Sequence, residues 1–158
     1  MYRWVLIIFG IVFATAAWAQ STVLSLSGET HDRTLPVDIQ ADALSVNQDA
    51  QIAVFTGNAV VKQGGLVLSA DEISVNYSED GSEIETVNAK GNVAFSNSTE
   101  TAESEAAQYQ VASGDLTMSG NVVLVQGPSR ISGNQLDMNI VTNIAQMSGN
   151  VRTRLVPQ

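Results

Sequence analysis

Four copies of one short stretch decide the fold of this chain: Gly57-Asn58-Ala59-Val60, Gly91-Asn92-Val93-Ala94, Gly120-Asn121-Val122-Val123 and Gly149-Asn150-Val151. Between the copies lies a second element, in which a polar residue heads alternating apolar positions; the heads are Asp42, Asp71, Glu105 and Asn134. Each glycine lies 14 residues before the next head, and each head 15 residues before the next glycine, except that 20 residues separate Asp71 from Gly91. The extra residues fall around 78–82, which has the composition of a turn. The chain is therefore a repeat of about 29 residues.

Both elements alternate with a period of two. Counted from each glycine, the positions two before, two after and four after are apolar except Thr153: Phe55, Ala59, Val61, Ala89, Val93, Phe95, Met118, Val122, Leu124, Met147 and Val151. Counted from each head, the positions two, four and six after are apolar except Gln48: Leu44, Val46, Ile73, Val75, Tyr77, Ala107, Tyr109, Val111, Leu136, Met138 and Ile140. This period is typical of extended strands that bury one face. Repeats of this length bury that face by stacking on one another, so the sequence predicts an all-β domain over residues 36–156.

The repeat also makes two local predictions. A glycine at a fixed strand position indicates a bulge, a tight bend or a close backbone approach rather than a phosphate-binding loop. Glutamate and alanine cluster at residues 99–110, a composition that also suits a helix. Because the repeat register places a strand there, we expect a strand.

The first residues have the pattern of an export signal. Arg3 precedes an apolar stretch, and Ala17-Trp18-Ala19 forms a small-x-small cleavage site before Gln20. We therefore expect residues 1–19 to be a cleaved signal peptide and residues 20–35, which are polar and aperiodic, to be a flexible leader. A retained membrane anchor is the alternative, but the apolar stretch is short compared with the roughly 20 residues that span a bilayer.

Composition excludes several function classes. The chain carries 16 acidic and 7 basic residues, which argues against binding to nucleic acid. It contains no cysteine and a single histidine, His31 in the leader, so it offers neither a disulfide framework nor the common zinc and thiol sites. Its acidic clusters fall mostly at turns or on outward strand positions, where solvated charge is the usual state. We therefore expect no enzyme activity, no metal and no cofactor.

Several linked motifs resemble one known family. Phe55 to Gly64, Phe-Thr-Gly-Asn-Ala-Val-Val-Lys-Gln-Gly, is followed by Leu-Ser-Ala-Asp-Glu-Ile-Ser-Val at 68–75. The pattern returns as Met-Ser-Gly-Asn-Val-Val-Leu-Val-Gln-Gly at 118–127 and Ile-Ser-Gly-Asn-Gln-Leu at 131–136, and residues 36–44 match the family's first strand. Together these motifs resemble the core signature of LptA/OstA proteins over nearly all of residues 36–156.

The resemblance implies a slightly open antiparallel β-jelly roll that passes lipopolysaccharide across the periplasm. It implies an LptC-like partner in the inner membrane, an LptD-like partner in the outer membrane and edge-to-edge joining through the shared fold. It also places Val37 and Ile39 against the lipid. Strand phase then predicts the remaining lining of a lipid-binding groove: Leu44, Val46, Phe55, Val61, Ile73, Val75, Val93, Phe95, Tyr109, Met118, Val122, Leu124, Leu136 and Met138.

An open sheet has two exposed edges, which pair with another chain or aggregate. The candidate edges are the first strand, 37–46, and the last, 147–155, with Val37, Ile39, Val151 and Thr153 as pairing positions. We therefore expect head-to-tail homo-oligomers. Arg152 and Arg154 on the last strand serve either to block aggregation or to contact a partner, and the sequence does not separate these two roles.

Two alternatives remain open for the function. The first is an LptC-like protein of the same fold that stays anchored in the inner membrane. The second is a structural β-repeat protein with a dry core and no ligand. Small inward residues such as Ala59, Ala89 and Ala107 leave room inside the sheet and argue mildly against the second.

Overall fold

The computed structural model describes residues 22–25 and 35–155; the predicted signal peptide lies outside these ranges. The described part contains eleven strands and no helix. They are β1 (Thr22–Ser25), β2 (Asp38–Gln40), β3 (Ala43–Asn47), β4 (Ile52–Gln63), β5 (Leu66–Tyr77), β6 (Ile84–Ser96), β7 (Glu100–Gln110), β8 (Asp115–Gln126), β9 (Ser129–Asn139), β10 (Ile144–Ser148) and β11 (Arg152–Arg154). The all-β prediction is confirmed. So is the strand at 99–110, which is β7.

All strands belong to one antiparallel sheet in the order β1-β10-β9-β8-β7-β6-β5-β4-β2. The short strands β2 and β3 follow one another along β4, and β10 and β11 do the same along β9. The sheet therefore consists of eight rows, the first made of β2 and β3 and the last of β10 and β11. β1 adds a short strand outside β10.

One part of the predicted leader forms a strand. Thr22–Ser25 pair antiparallel with Met147–Ile144, and Leu24 packs against the core. The expectation of a flexible leader was wrong for these four residues. Val23 and Leu24 are apolar, but two residues do not establish a strand pattern, and the pairing depends on the edge of β10, more than a hundred residues away.

The repeat glycines produce a line of bulges across the whole sheet, which we call the seam. The pairing register shifts at the glycine of β4, β6 and β8, where two residues stand opposite one head on the next strand. Each repeat glycine has φ between +73° and +83°, and the asparagine after it has φ between +46° and +51°. The predicted role of the glycines is therefore confirmed. The seam consists of Asp42, Gly57-Asn58, Asp71, Gly91-Asn92, Glu105, Gly120-Asn121, Asn134 and Gly149-Asn150.

Polar heads lie against the glycines along the seam. Asn58 Nδ2 donates to Asp42 Oδ2 at 2.9 Å, and Asn92 Nδ2 donates to Asp71 Oδ2 at 2.9 Å. Asn121 makes the same bond to Glu105. These bonds explain why a carboxylate and an asparagine recur in step: each bulge places the two side chains next to one another, and the amide donates to the carboxylate.

The strands bend at the seam, so that the sheet folds into two facing walls. Ile84 and Phe95 lie in the same strand, β6, yet both line one narrow groove. A straight strand would separate them by more than 30 Å at about 3.3 Å per residue, so β6 must turn back at Gly91 between them. Wall A contains β3, β10 and residues 52–56, 72–77, 84–90, 106–110, 115–119 and 135–139. Wall B contains β2, β11 and residues 59–63, 66–70, 93–96, 100–104, 122–126 and 129–133.

A single apolar core fills the space between the walls. Its largest fully buried apolar side chains come from every long strand except β4 and β7; they are Phe95, Ile73, Met118, Leu124, Ile131, Leu136, Met147, Val75, Val93 and Val122. All of them except Ile131 were among the inward positions predicted from the repeat. Strand phase was therefore recovered on both sides of the bend, because each bulge keeps the residues two before and two after the glycine on the same face.

Candidate functional site

An apolar groove opens between the two walls. Wall B supplies Val37 and the side chains of β2, β4 and β5, and wall A supplies those of β7 and β8, with β6 contributing to both. The lining residues are Val37, Ile39, Val61, Gln63, Leu66, Leu68, Ile84, Val87, Phe95, Tyr109, Val111 and Leu116. The groove encloses a cavity of about 50 Å³, which has room for only a few water molecules.

Five of the predicted lining residues meet in this groove: Val37, Ile39, Val61, Phe95 and Tyr109. Most of the other predicted residues are buried in the core between the walls rather than in the groove; they are Ile73, Val75, Val93, Met118, Val122, Leu124, Leu136 and Met138. Phe55 is partly buried against the same core. The structure thus divides one continuous inward face into a packed part and an open part.

Leu44 and Val46 lie on the inward face of β3 but do not line the groove. They are 58% and 59% exposed, and their register partners Phe55 and Ala53 point to the same side. Their exposure follows from position, because β3 belongs to the first row and has no described strand on its outer side.

Seven lining residues were not predicted: Gln63, Leu66, Leu68, Ile84, Val87, Val111 and Leu116. Leu66 and Leu68 precede the head Asp71, on the half of the strand that was not counted from the heads. Ile84 and Val87 precede Gly91 of β6 by more than two residues, so they were not among the positions counted from the glycines. Counted in steps of two from a glycine or head, Val87, Val111 and Leu116 are inward, whereas Leu66, Leu68 and Ile84 fall on the other phase because the register of β5 with β6 shifts twice. Only the crossing of the two walls decides which inward residues face open space.

Three buried polar side chains lie on the inward face and are bonded there. The smallest, Ser104, donates from Oγ to the carbonyl oxygen of Ala106 at 2.9 Å, and the two larger ones are Gln63 and Glu100. Gln63, 6% exposed, donates from Nε2 to the carbonyl oxygen of Leu35 at 2.9 Å. Glu100, 2% exposed, accepts from Gln126 Nε2 at 3.0 Å and from Asn97 Nδ2 at 3.4 Å. Burial without such partners would cost several kcal/mol, so these bonds make all three side chains compatible with an apolar surrounding.

The acidic stretch at 100–105 has three separate structural settings. Glu100 is buried beside the turn before β7, Glu103 is exposed on the outer face, and Glu105 belongs to the seam, where it accepts from Asn121. The carboxylates therefore do not converge on a common site.

Two carboxylates with a lowered pKa lie in or next to turns: Asp80 between β5 and β6, and Asp115 at the first position of β8. Hydrogen bonds from the Ser78 and Ser82 side chains and the Ser82 backbone lower the pKa of Asp80 to about 2. Hydrogen bonds from the side chains of Ser113 and Asn139 lower the pKa of Asp115. Both carboxylates stabilise a turn conformation.

Among the described residues no three histidine, cysteine or acidic side chains come close enough to hold a metal ion. No helix within the same ranges is long and apolar enough to cross a bilayer.

The two sheet edges differ in how much of them is free. On the first row, β2 and β3 have no strand on their outer side within the described ranges. On the last row, β1 covers β10, while the outer side of β11 is unpaired in the same ranges. The predicted edge at 147–155 is therefore corrected: Met147 is paired with Thr22, and the free edge begins after the seam. Of the predicted pairing positions, Ile39 and Thr153 lie in β2 and β11, and Val37 and Val151 directly precede them.

Comparisons of the sequence with known proteins all indicate the same family. The family model described as LptA/(LptD N-terminal domain) LPS transport protein matches residues 38–153. The lipopolysaccharide export system protein LptA of Haemophilus influenzae is 24% identical over 152 residues, covering 92% of this chain and 87% of that protein. LptA of Escherichia coli K12 is 29% identical over 115 residues, covering 68% of this chain and 61% of that protein.

A solved structure shares the fold. The crystal structure of LptH, the LptA homologous periplasmic component of the lipopolysaccharide transport device of Pseudomonas aeruginosa, matches with a TM-score of 0.74 at 18% identity. The match covers 80% of this chain and 99% of that one, which supports the slightly open antiparallel jelly roll. Since the family model spans most of the chain, including every row of the sheet, the chain belongs to the LptA/LptD N-terminal domain family of lipopolysaccharide transport proteins.

Proposed function

We infer that this protein carries lipopolysaccharide through the periplasm, from the inner towards the outer membrane, with the acyl chains held in the groove. The observation that carries this conclusion is the lining of the groove, in which eleven of the twelve residues are apolar or aromatic and the twelfth, Gln63, is bonded to the backbone. A catalytic site would need converging polar groups, whereas an acyl chain needs only continuous apolar surface.

The energetics of transfer favour such a groove. Each methylene removed from water contributes about 0.8 kcal/mol, so a chain of about 12 methylenes gains roughly 10 kcal/mol on burial. A carrier must offer this gain along its whole length, so that no single position binds the lipid more tightly than the others. The repeat meets that need, because equivalent inward positions return in every second row.

Edge-to-edge stacking follows from the free edges of the first and last rows. We propose an LptC-like partner at one end, an LptD-like partner at the other and head-to-tail copies of this chain between them, after export by the signal at residues 1–19. An LptC-like protein of the same fold would instead retain its N-terminal segment. Intact mass of the exported protein separates the two, because the carrier begins at Gln20.

Photocrosslinking in cells tests the lipid path. A photoreactive residue replaces Leu66, which lines the groove, or its neighbour Val67, which points to the outer face of β5. We expect lipopolysaccharide adducts at Leu66 and none at Val67. Protein adducts without lipid at both positions would contradict the carrier and favour a structural repeat with a dry core.

A further inference from the structure

The N-terminal strand β1 makes the two ends of the sheet differ. At the first row no described strand covers β3, and its inward residues Leu44 and Val46 are 58% and 59% exposed. At the last row β1 pairs with β10, whose inward residues Ala145 and Met147 are 1% and 0% exposed. The wall A half of the last row is therefore already occupied by a strand of the same chain.

β1 lies where the repeat would place a following strand. At each internal joint, the residues two and four before a glycine lie opposite the residues two and four after the next head. These pairs are Phe55 with Ile73, Ala53 with Val75, Ala89 with Ala107, Val87 with Tyr109, Met118 with Leu136 and Leu116 with Met138. In β10 the corresponding positions are Met147 and Ala145, which lie opposite Thr22 and Leu24. β1 thus has the register and the antiparallel direction of a further repeat strand.

The strand whose place β1 takes is β3 of a second copy. In the edge-to-edge stacking of the proposed function, the repeat continues from the last glycine to the first head of the next copy. Leu44 of that copy then takes the register position of Thr22, and Val46 takes that of Leu24. Each backbone group of β10 forms one ladder bond on that side, so β10 pairs either with β1 or with the second copy.

β1 is a weaker strand than the one that would replace it. It has four residues, whereas β3 has five. Threonine buries less apolar surface than leucine, so exchange of Thr22 for Leu44 at one register position favours the second copy. β1 has the compensating advantage of belonging to the same chain, which gives it an effective concentration on the order of millimolar.

The free strand β11 provides a place where exchange can begin. Its outer side is unpaired within the described ranges, and it lies in the same row as β10. An incoming first row can pair β2 with β11 while β1 is still bound. Pairing of β3 then requires β1 to leave.

We propose that β1 is an autoinhibitory strand, which occupies β10 until β3 of a second copy displaces it. The proposal rests on the stacking of the proposed function and adds its control. At low concentration the chain remains single and its last row is half covered, which protects this edge from unspecific pairing. At high concentration, or where another copy is already anchored, the longer and more apolar β3 replaces β1.

A disulfide between β1 and β10 tests the proposal, since the chain has no cysteine of its own. Val23 lies opposite Gln146, and opposed residues of an antiparallel pair have Cα atoms about 4.5–5.5 Å apart, which suits a disulfide. The variant Val23→Cys with Gln146→Cys is oxidised at low protein concentration and studied by sedimentation velocity. We expect the oxidised form to self-associate about tenfold more weakly than the reduced form, because β3 of the second copy loses its cross-strand pairs.

The matched control joins two strands that stay together during stacking. Thr86→Cys with Gln110→Cys is an opposed pair of β6 and β7, in the middle of the sheet. Its oxidised and reduced forms should associate equally. Equal association of the two forms of the β1–β10 variant would overturn the proposal.

Substitutions in β1 should change self-association in opposite directions. Thr22→Leu introduces the residue type of β3 at this register position and should weaken association several-fold. Leu24→Ser removes a contact with the core and should strengthen association. If β1 were instead part of the stacking surface, both signs would be reversed, so weaker association of Leu24→Ser would overturn the proposal. Thr101→Leu, exposed on β7 away from both edges, is the matched control and should have no effect.

Failure of this proposal is distinguishable from failure of the proposed function. Lipid adducts at Leu66 together with equal association of the oxidised and reduced β1–β10 variant would leave the carrier intact and reject autoinhibition. A weakened oxidised form without lipid adducts would support autoinhibition and reject the carrier. A reduced form that stays monomeric at every concentration would reject both the stacking and its control by β1.

Discussion

At the scale of single residues, the seam makes the strictest demand on the sequence. Gly120 has φ +83°, a region that side chains with a Cβ rarely adopt. An added Cβ there would lie 2.6 Å from a carboxylate oxygen of Glu105 and 2.7 Å from its Cβ. Both the backbone conformation and the packing of the head therefore require glycine, which explains why the residue returns in every repeat.

Gly120→Ala should lower the free energy of unfolding by about 2–3 kcal/mol, because the strain of a positive φ adds to the displacement of Glu105. Chemical denaturation measures the change. Gly65→Ala is the matched control: Gly65 lies in the turn between β4 and β5 with no positive φ and nothing within 4 Å of an added Cβ. We expect it to change stability by less than about 0.5 kcal/mol. Equal effects of the two variants would contradict the role given to the seam.

At the scale of elements, β1 is the strand that the sequence does not reveal. It covers the wall A half of the last row by pairing with β10 and leaves the wall B half to β11. A partner that pairs along the complete last row must therefore displace β1. In the proposed stacking, the partner therefore competes with the chain's own N-terminal segment for the edge of β10.

Val23→Pro should uncover β10, because proline cannot donate to the ladder and fits poorly inside a paired strand. We expect faster hydrogen exchange of the Ile144–Met147 amides and stronger self-association than in the unaltered chain. Hydrogen-exchange mass spectrometry measures the exchange of these amides, and sedimentation velocity measures the self-association. Ser27→Pro, outside β1, serves as the control. Unchanged exchange in β10 with Val23→Pro would show that β1 does not protect that edge.

Element order and strand phase were predictable, whereas the division of the inward face was not. A period of two and a repeat of fixed length locate Phe95 and Met118 on the inner side without knowledge of the third dimension. Whether such a core residue also lines the groove, as Phe95 does, or packs only within the core, as Met118 does, depends on how wall A crosses wall B. That crossing is set by the bend at the seam and by sheet twist, which sequence spacing does not encode.

At the scale of the whole molecule, the cavity is smaller than its proposed cargo. The cavity of about 50 Å³ has room for a few water molecules, so we expect the walls to separate when an acyl chain enters the groove. We expect the seam to act as the hinge, because backbone bulges and exposed side-chain hydrogen bonds connect the walls there.

Spin labels on the two walls should therefore move apart when lipopolysaccharide is added. Lys62→Cys on wall B and Gln108→Cys on wall A provide exposed outer positions, and double electron–electron resonance measures the distance between them. We expect an increase of a few ångströms. The pair Lys62→Cys and Glu103→Cys, both on wall B, should report no change. A constant distance between the walls at saturating lipid would mean that loading does not use the hinge.

The number of rows sets the length of the molecule across its strands. Eight rows spaced by about 4.8 Å make one copy nearly 40 Å long in that direction, and each repeat contributes two rows, or about 10 Å. The length of such a protein across its strands therefore changes by one whole repeat at a time. Lengthening it by a single row would reverse the direction of the last strand, so only pairs of rows preserve the strand direction at the edge where the proposed partner pairs. The distance such a chain can bridge therefore changes in fixed steps, by adding a repeat or by adding a copy.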